Sequence, residues 1–227
     1  MDAIGQPTLE PPRRLERHDR RGDFTCGNDE LDQWFHRYSW QNQKAHNAVT
    51  YVAQQGGRVA GYYALAAATI RRDWSPASFA AHRPQSIPCM LLARLAVDRR
   101  VQGQGVGTTL LLDALRRTLA ASDQFGIAAL LIHCKDEEAR AFYMRHVDAL
   151  ESAVSPLQLV VPTRTIARAL GGTAEEEQHL SAGPITRGRP ARVRGFSARA
   201  ATASPRGRGR GPLPVRCSAR RRSVRRR

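Results

Sequence analysis

Residues 95 to 108 read Leu-Ala-Val-Asp-Arg-Arg-Val-Gln-Gly-Gln-Gly-Val-Gly-Thr, and no other segment narrows the possible folds as much. The apolar run Met90 to Val97 leads into it, and three glycines follow at alternate positions, Gly103, Gly105 and Gly107. The apolar pattern then resumes at Leu110, Leu111, Ala114, Leu115 and Leu119, which is helical spacing. A strand that feeds a glycine turn opening a helix is the core of an α/β unit. Glycines let the backbone approach a bulky anion, and the unbonded N–H groups of the first helical turn point at it. The segment is a candidate phosphate or pyrophosphate cradle. It has no Gly-Lys-Ser/Thr, and its glycines run G-x-G-x-G rather than G-x-G-x-x-G, which argues against an ATPase, a kinase or a nicotinamide-dependent enzyme. A glycine-rich turn that binds nothing would share this local sequence.

The flanking elements follow from periodicity and turn residues. Asn28 is an N-cap candidate with Asp29, Glu30 and Asp32 in the turn after it, and Leu31, Trp34, Phe35 and Tyr38 form one face of a helix predicted to end near His46. Residues 49–54 and 59–68 read as antiparallel strands around Gly56-Gly57. Residues 72–86 lack a period and are expected to be a loop with one helical turn. Residues 88–97 are apolar on both faces and are expected at the centre of the sheet. A helix over 105–121, a strand over 127–134, a helix over 136–146, a strand over 157–161 and a short helix over 164–170 complete the pattern. The predicted class is α/β, a mixed α+β sheet with at least one parallel pair. Residues 1–14 are expected as a flexible lead-in, with room for one short edge strand within the first 23 residues. The domain is placed at 15–171.

Charge is distributed unevenly. The formal balance is +16, yet residues 172–227 hold 15 arginines and three glutamates, leaving 21 basic and 17 acidic side chains in the first 171 residues. This excludes an evenly basic, histone-like chain and leaves a nearly balanced domain with an Arg-rich tail, which is expected to be disordered. Arginine outnumbers lysine 34 to 2, so the tail's charge is read partly as coding bias. Cys26, Cys89, Cys134 and Cys217 are too scattered for a zinc site or a disulfide framework, so no metal is expected. No stretch approaches the ~18 apolar residues of a membrane span, and the N-terminus has no signal-peptide core, so the expected address is the cytoplasm.

With these residues in view, Gln102-x-x-Gly105-x-Gly107 resembles the Arg/Gln-x-x-Gly-x-Gly/Ala motif of the GNAT acyltransferases. A narrower set resembles the GNAT toxins of bacterial type II toxin–antitoxin pairs: Phe24-x-Cys26-Gly27, Leu31-Asp32-x-Trp34, Gly61-Tyr62-Tyr63, Leu92 to Asp98, Asp136-x-x-Ala139-x-Ala141-Phe142-Tyr143 and Pro156-Leu157-x-Leu159. The resemblance covers roughly residues 15 to 170. It implies the GNAT fold with a splayed central strand, and acetyl-CoA as co-substrate. Its pantetheine arm would lie on Leu95, Ala96 and Val97, and its pyrophosphate on Gln102, Gly103, Gln104, Gly105, Val106, Gly107 and Thr108, with Asp136 also at the cofactor. It implies Tyr143 as general acid, aminoacyl-tRNA as acceptor, a ribbon-helix-helix antitoxin as partner and a homodimer. One departure stands out: after Phe-Tyr the family usually has a Gly-Phe or similar aromatic step, whereas this chain has His146 to Ser155, with Leu150 the residue to fill the aromatic's place.

The implied chemistry suits these residue types. An α-amine, which ordinarily titrates at about 7.7 to 8.0, is partly neutral near pH 7, so its attack on a thioester needs alignment and a proton donor for the departing sulfur. A phenol can be that donor. Without the resemblance, Tyr143 reads by default as core packing, His133 first as a structural histidine and then as an acid or base, and Cys134 as a buried structural thiol rather than a nucleophile. Arg71, Arg72, Arg94 and Arg99 are the candidate contacts to nucleic-acid phosphates, Arg94 the most unusual because it interrupts an apolar strand. Two other functions remain open: a GNAT enzyme for a small amine or a protein N-terminus, and an inactive GNAT-fold binding protein.

Overall fold

The computed structural model describes residues 7–171. The residues of the expected disordered tail, 172–227, lie outside that range. A seven-stranded sheet runs in the order β1-β2-β3-β4-β5-β7-β6: β1 (Arg13–Arg14), β2 (Val49–Gln55), β3 (Arg58–Arg71), β4 (Ser86–Val97), β5 (Ala129–His133), β6 (Leu150–Glu151) and β7 (Gln158–Pro162). Only β4 and β5 pair in parallel; the other neighbours are antiparallel. The expected mixed sheet, with the 88–97 segment at its centre, is therefore present.

Among the described residues, six α-helices accompany the sheet: α1 (Asp29–Gln33), α2 (Ser39–Lys44), α3 (Ala77–Ala80), α4 (Val106–Phe125), α5 (Glu137–His146) and α6 (Thr163–Ala169). A π turn, Trp34–Tyr38, joins α1 to α2, so the single helix expected over 28–46 has a wider turn in its middle. Asn28 caps α1 by accepting from the Leu31 N–H at 3.1 Å. Phe35 stacks on Tyr62 at 4.2 Å, Phe24 meets both edge-on, and the Tyr62 hydroxyl donates to the Leu31 carbonyl. This aromatic cluster holds the start of α1 against the end of β4, where Ala96 joins it.

On the other side of the sheet, α4 buries Leu110, Leu111, Ala114 and Leu115 against β3 to β5. At roughly 1.5–3 kcal/mol per fully buried Leu, this face fixes the helix. Gly61 sets how close it comes: a Cβ there would fall 2.8 Å from Leu110 Cδ1 and 3.0 Å from the Ala96 carbonyl. The helix continues four residues past its expected end, to Phe125, and is stopped by Gly126, whose φ of 68° permits the left-handed turn.

β1 is a short edge strand within the lead-in, and residues 9–14 are paired: Leu9 bridges Gln55, Glu10 N–H donates to the Gln54 carbonyl, β1 pairs with β2, and Arg117 donates to the Pro12 carbonyl at 3.0 Å. These bonds satisfy the free edge of β2. The segment 146–155, where the family usually has an aromatic step, holds β6. Leu150 pairs with Val160 and packs in a second core cluster, while Ser152 Oγ and Ala153 N–H both donate to the Trp74 carbonyl.

Candidate active site

The central feature is the parting of β4 and β5. Their ladder pairs Cys89 to Leu92 with Ala129 to Ile132 and stops. In the ladder with β3, Leu65 faces Leu92 and Ala64 faces Arg94, so Ala93 is an extra residue in β4. Such a bulge bends a strand, and β4 leaves β5 at this point. The expected splayed central strand is thus observed. From Ala93 onward, no described strand pairs with β4 on the β5 side.

The opening is a cavity of about 140 Å³. Asn28, Glu30 and Leu31 line one wall, Leu92 to Leu95 the floor, and His133 to Lys135 with Ala139 and Tyr143 the other wall. That is well below the roughly 300–1,000 Å³ of an enclosing ligand pocket, so it accepts only the reacting end of a longer molecule. None of residues 146–155 lines it.

Tyr143 is 8% exposed, and its hydroxyl makes no hydrogen bond to any described residue. Burial pushes its pKa up, and Cys134 adds a smaller increment, so the phenol carries its proton at neutral pH. Buried tyrosine hydroxyls ordinarily have a partner, so an unbonded one at a cavity wall is available to a ligand. Cys134 is no nucleophile here, because burial pushes its thiol up to about 11. His133 Nε2 accepts from the Gln158 amide at 2.8 Å, which accounts for it as a structural histidine.

Beyond the cavity, β4 leads into the cradle. Gly103 and Gly105 have φ of 76° and 81°, and nothing lies within 4 Å of where their side chains would begin. These glycines are required by backbone conformation, while the space beside them stays open, as an approaching anion needs. Gly105 is the N-cap of α4 and offers no side chain, so the first-turn N–H groups remain available. Gln102 turns inward instead: its amide donates to the carbonyls of Cys26 and Val97, both at 3.0 Å, and ties the loop to the end of β4. Asp98, buried beneath the loop, accepts from Arg100 and from the Arg100 and Thr25 N–H groups. Burial alone would raise its pKa, but these donors outweigh burial and hold the carboxyl below its usual range. Leu95 and Val97 pack towards α4 and α5, and Ala96 towards α1. The residues expected at a coenzyme are therefore brought together, from the cleft at Leu95 to the cradle at Gly103–Thr108, and the open glycines and uncapped helix fit a pyrophosphate.

Asp136 has a structural role of its own. It caps α5 by accepting from the Ala139 N–H at 2.8 Å, which lowers its pKa, and it pairs with Lys135. The acids Glu137 and Glu138 in the turn after it are a capping signal that the sequence already carried.

The four candidate arginines do not gather. Arg94 lies in the cleft, donating to the Ala93 carbonyl, 3.5 Å from Glu30 and over the Trp34 ring, with its buried Nε unpartnered. Arg99 is exposed beside the cradle and lies over Gly27. Arg71 and Arg72 sit at the far end of the β3–β4 ribbon, where Arg71 is paired with Asp73 and Arg72 donates to the Arg83 carbonyl. Arg94 lies eight positions along β4 from Ser86, which faces Arg71, a span of about 26 Å. A different basic group emerges at the β1 edge, where Arg14, Arg17, His18, Lys44 and His46 line a groove with Trp40. Arg14, Arg17 and Lys44 are exposed and form no ion pair with a described carboxylate. Strand pairing brings them together from distant parts of the chain, so no local signal marked them.

Among the described residues no cluster of His, Cys, Asp and Glu is arranged to hold a metal, and no helix is long and apolar enough to cross a membrane. The acetyltransferase (GNAT) family profile matches residues 14–147. The tRNA-acetylating toxin of Mycobacterium tuberculosis is 38% identical over 161 residues, covering 71% of this chain and 96% of that protein. The solved structure of AtaT complexed with acetyl-methionyl-tRNAfMet superposes with a TM-score of 0.67 at 26% identity, covering 72% of this chain and 99% of the other. A tyrosine-to-phenylalanine mutant of the AtaT toxin, bound to the C-terminus of the antitoxin AtaR and to acetyl-CoA, superposes with a TM-score of 0.61 at 25% identity, covering 71% and 97%. The splayed strand, the glycine cradle that follows it and these likenesses lead to one conclusion: the chain belongs to the GNAT family of acetyltransferases.

Proposed function

We propose that this chain is an acetyl-CoA-dependent N-acetyltransferase that modifies the α-amine of aminoacyl-tRNA, and that it blocks translation as the toxin of a toxin–antitoxin pair. The observation that carries this reading is the likeness to the Mycobacterium tuberculosis tRNA-acetylating toxin over nearly that protein's full length. The site geometry supports it.

Bound acetyl-CoA would supply an acetyl thioester. The cradle at Gly103–Thr108 would hold its pyrophosphate, and the unpaired edge of β4 from Ala93 to Val97 its pantetheine arm, leaving the thioester in the cleft. The α-amine, neutral in part near pH 7, attacks the acetyl carbon: the N–C bond forms, the C–S bond breaks and the amine loses one proton to solvent. Tyr143 gives its proton to the departing sulfur and regains one from solvent. Arg94, which lines the cleft, is the side chain best placed to meet the acceptor, and Arg99 the one nearest the cradle. The groove of Arg14, Arg17 and Lys44 offers unpaired cations to tRNA phosphates. We place Arg71 and Arg72 outside this path.

By the same resemblance, a ribbon-helix-helix antitoxin covers the cleft, the toxin is a homodimer and both act in the cytoplasm. The test is to incubate the chain with labelled acetyl-CoA and bulk charged tRNA. Label that stays on the aminoacyl group after protein removal supports the reading. Label only on small amines moves the chain to another acetyltransferase class, and no label at all makes it a binding protein.

A further inference from the structure

The first residue of the segment that departs from the family's usual continuation after Phe-Tyr makes two bonds that tie the cradle to the Tyr143 helix. His146, the last residue of α5, places Nδ1 2.7 Å from the Phe142 carbonyl and Nε2 2.9 Å from Thr108 Oγ1. A carbonyl only accepts, so Nδ1 carries the ring hydrogen and Nε2 of the neutral ring is an acceptor. In that neutral form Thr108 Oγ1 donates its single hydrogen to His146 rather than to a phosphate. Thr108 is the third residue of α4, inside the cradle. The Phe142 ring lies 4.6 Å from the imidazole and also abuts the cradle, at 3.4 Å from where a Gly107 side chain would begin. Tyr143 sits on this same final turn, its carbonyl accepting from the Val147 N–H.

We propose that His146 is a positioning residue for acetyl transfer. Through Thr108 it fixes the spacing between the anion cradle and the Tyr143 hydroxyl, while the phosphates are held by the backbone N–H groups of the first α4 turn. A thioester suspended from the cradle meets Tyr143 only if that spacing is held, because an ångström of misplacement can cost about a hundredfold in rate. The inference rests on acetyl-CoA as co-substrate and not on tRNA as acceptor.

The test compares His146→Phe, which keeps the ring and removes both polar atoms, with Thr108→Val, which keeps the shape and removes the hydroxyl, and with the double variant. Transfer rate and acetyl-CoA dissociation constant are measured for each. The expected result is a kcat about tenfold lower in each single variant, no further loss in the double variant, and an acetyl-CoA dissociation constant within about twofold of wild type. His146→Gln, whose amide can donate and accept, recovers part of the rate. A wild-type kcat in a folded His146→Phe, single losses that multiply, or a Thr108→Val chain that binds acetyl-CoA much more weakly would each overturn the proposal. If His146→Phe does not fold, Thr108→Val alone decides between positioning and phosphate binding. A wild-type chain inactive on charged tRNA would refute the acceptor reading alone, since the ratio of variant to wild type is read equally well on a small amine.

Discussion

Gln102 donates its side-chain amide to the Val97 carbonyl at 3.0 Å, which fastens the first residue of the glycine loop to the last residue of the splayed strand. The same amide reaches the Cys26 carbonyl, so one side chain joins strand, loop and the lead into α1. Gln102→Ala removes both bonds, and the expected result is an acetyl-CoA KM raised about three- to tenfold with little change in kcat. Gln102→Glu puts a carboxylate against two carbonyls and should be worse. Steady-state kinetics with varied acetyl-CoA checks both.

Asp98 and Asp19 make stability fall in acid. Both carboxylates are buried. Burial alone would raise their pKa values, but Arg100 with two N–H groups, and Arg13 with the Glu16 N–H, outweigh it and lower them. A folded pKa below the unfolded value means that the stabilisation is fully present above about pH 4 and is lost as pH drops through the lowered folded pKa. Asp98→Asn should destabilise by about 1–3 kcal/mol at neutral pH and flatten the acid limb, as read by denaturant melts from pH 7 to 2. An unchanged acid limb would count against this assignment.

The two caps separate structure from cofactor. Asn28→Ala should cost about 1 kcal/mol, because it leaves the Leu31 N–H without its acceptor. Asp136→Ala should lower the melting temperature, Asp136→Ser should restore it, and neither should move the acetyl-CoA KM. A raised KM in both Asp136 variants would return that residue to the coenzyme.

Nucleic-acid contacts should show in salt dependence. Replacing Arg14, Arg17 or Lys44 with Ala should each reduce the slope of log K against log salt for tRNA binding by about 0.7–0.9. Arg71→Ala and Arg72→Ala should leave the slope as it is. The reverse pattern would move the tRNA to the far end of the β3–β4 ribbon.

Much of this architecture was legible because it is local. The helical face of Leu110 to Leu115, the apolar run into the glycine turn and the Asn28 cap each lie within a few residues and obey a period or a turn rule. The glycine turn before α4 was legible for the same reason, as was the helix that carries Tyr143. What the sequence hid depends on pairing across the chain. β6 has two residues and exists only because β7 accepts it. Arg94 could be read as unusual, yet its neighbours Glu30 and Trp34 lie on another element. Gln102 was assigned to the pyrophosphate by motif, but its amide faces the strand end. His146 was noticed as part of a departure, and only the packing of α5 on α4 shows its bond to Thr108.

The central claim is that Tyr143 supplies a proton as acetyl moves to aminoacyl-tRNA. The most direct measurement is single-turnover acetyl transfer to charged tRNA by wild type and Tyr143→Phe, with acetyl-CoA binding and melting temperature measured alongside. The account predicts labelled aminoacyl-tRNA from wild type and a rate lower by about 10²- to 10⁴-fold in the variant. Acetyl-CoA affinity and melting temperature should be unchanged, because the hydroxyl bonds to no described residue. Transfer by Tyr143→Phe at the wild-type rate, or no label on tRNA from wild type, would contradict it.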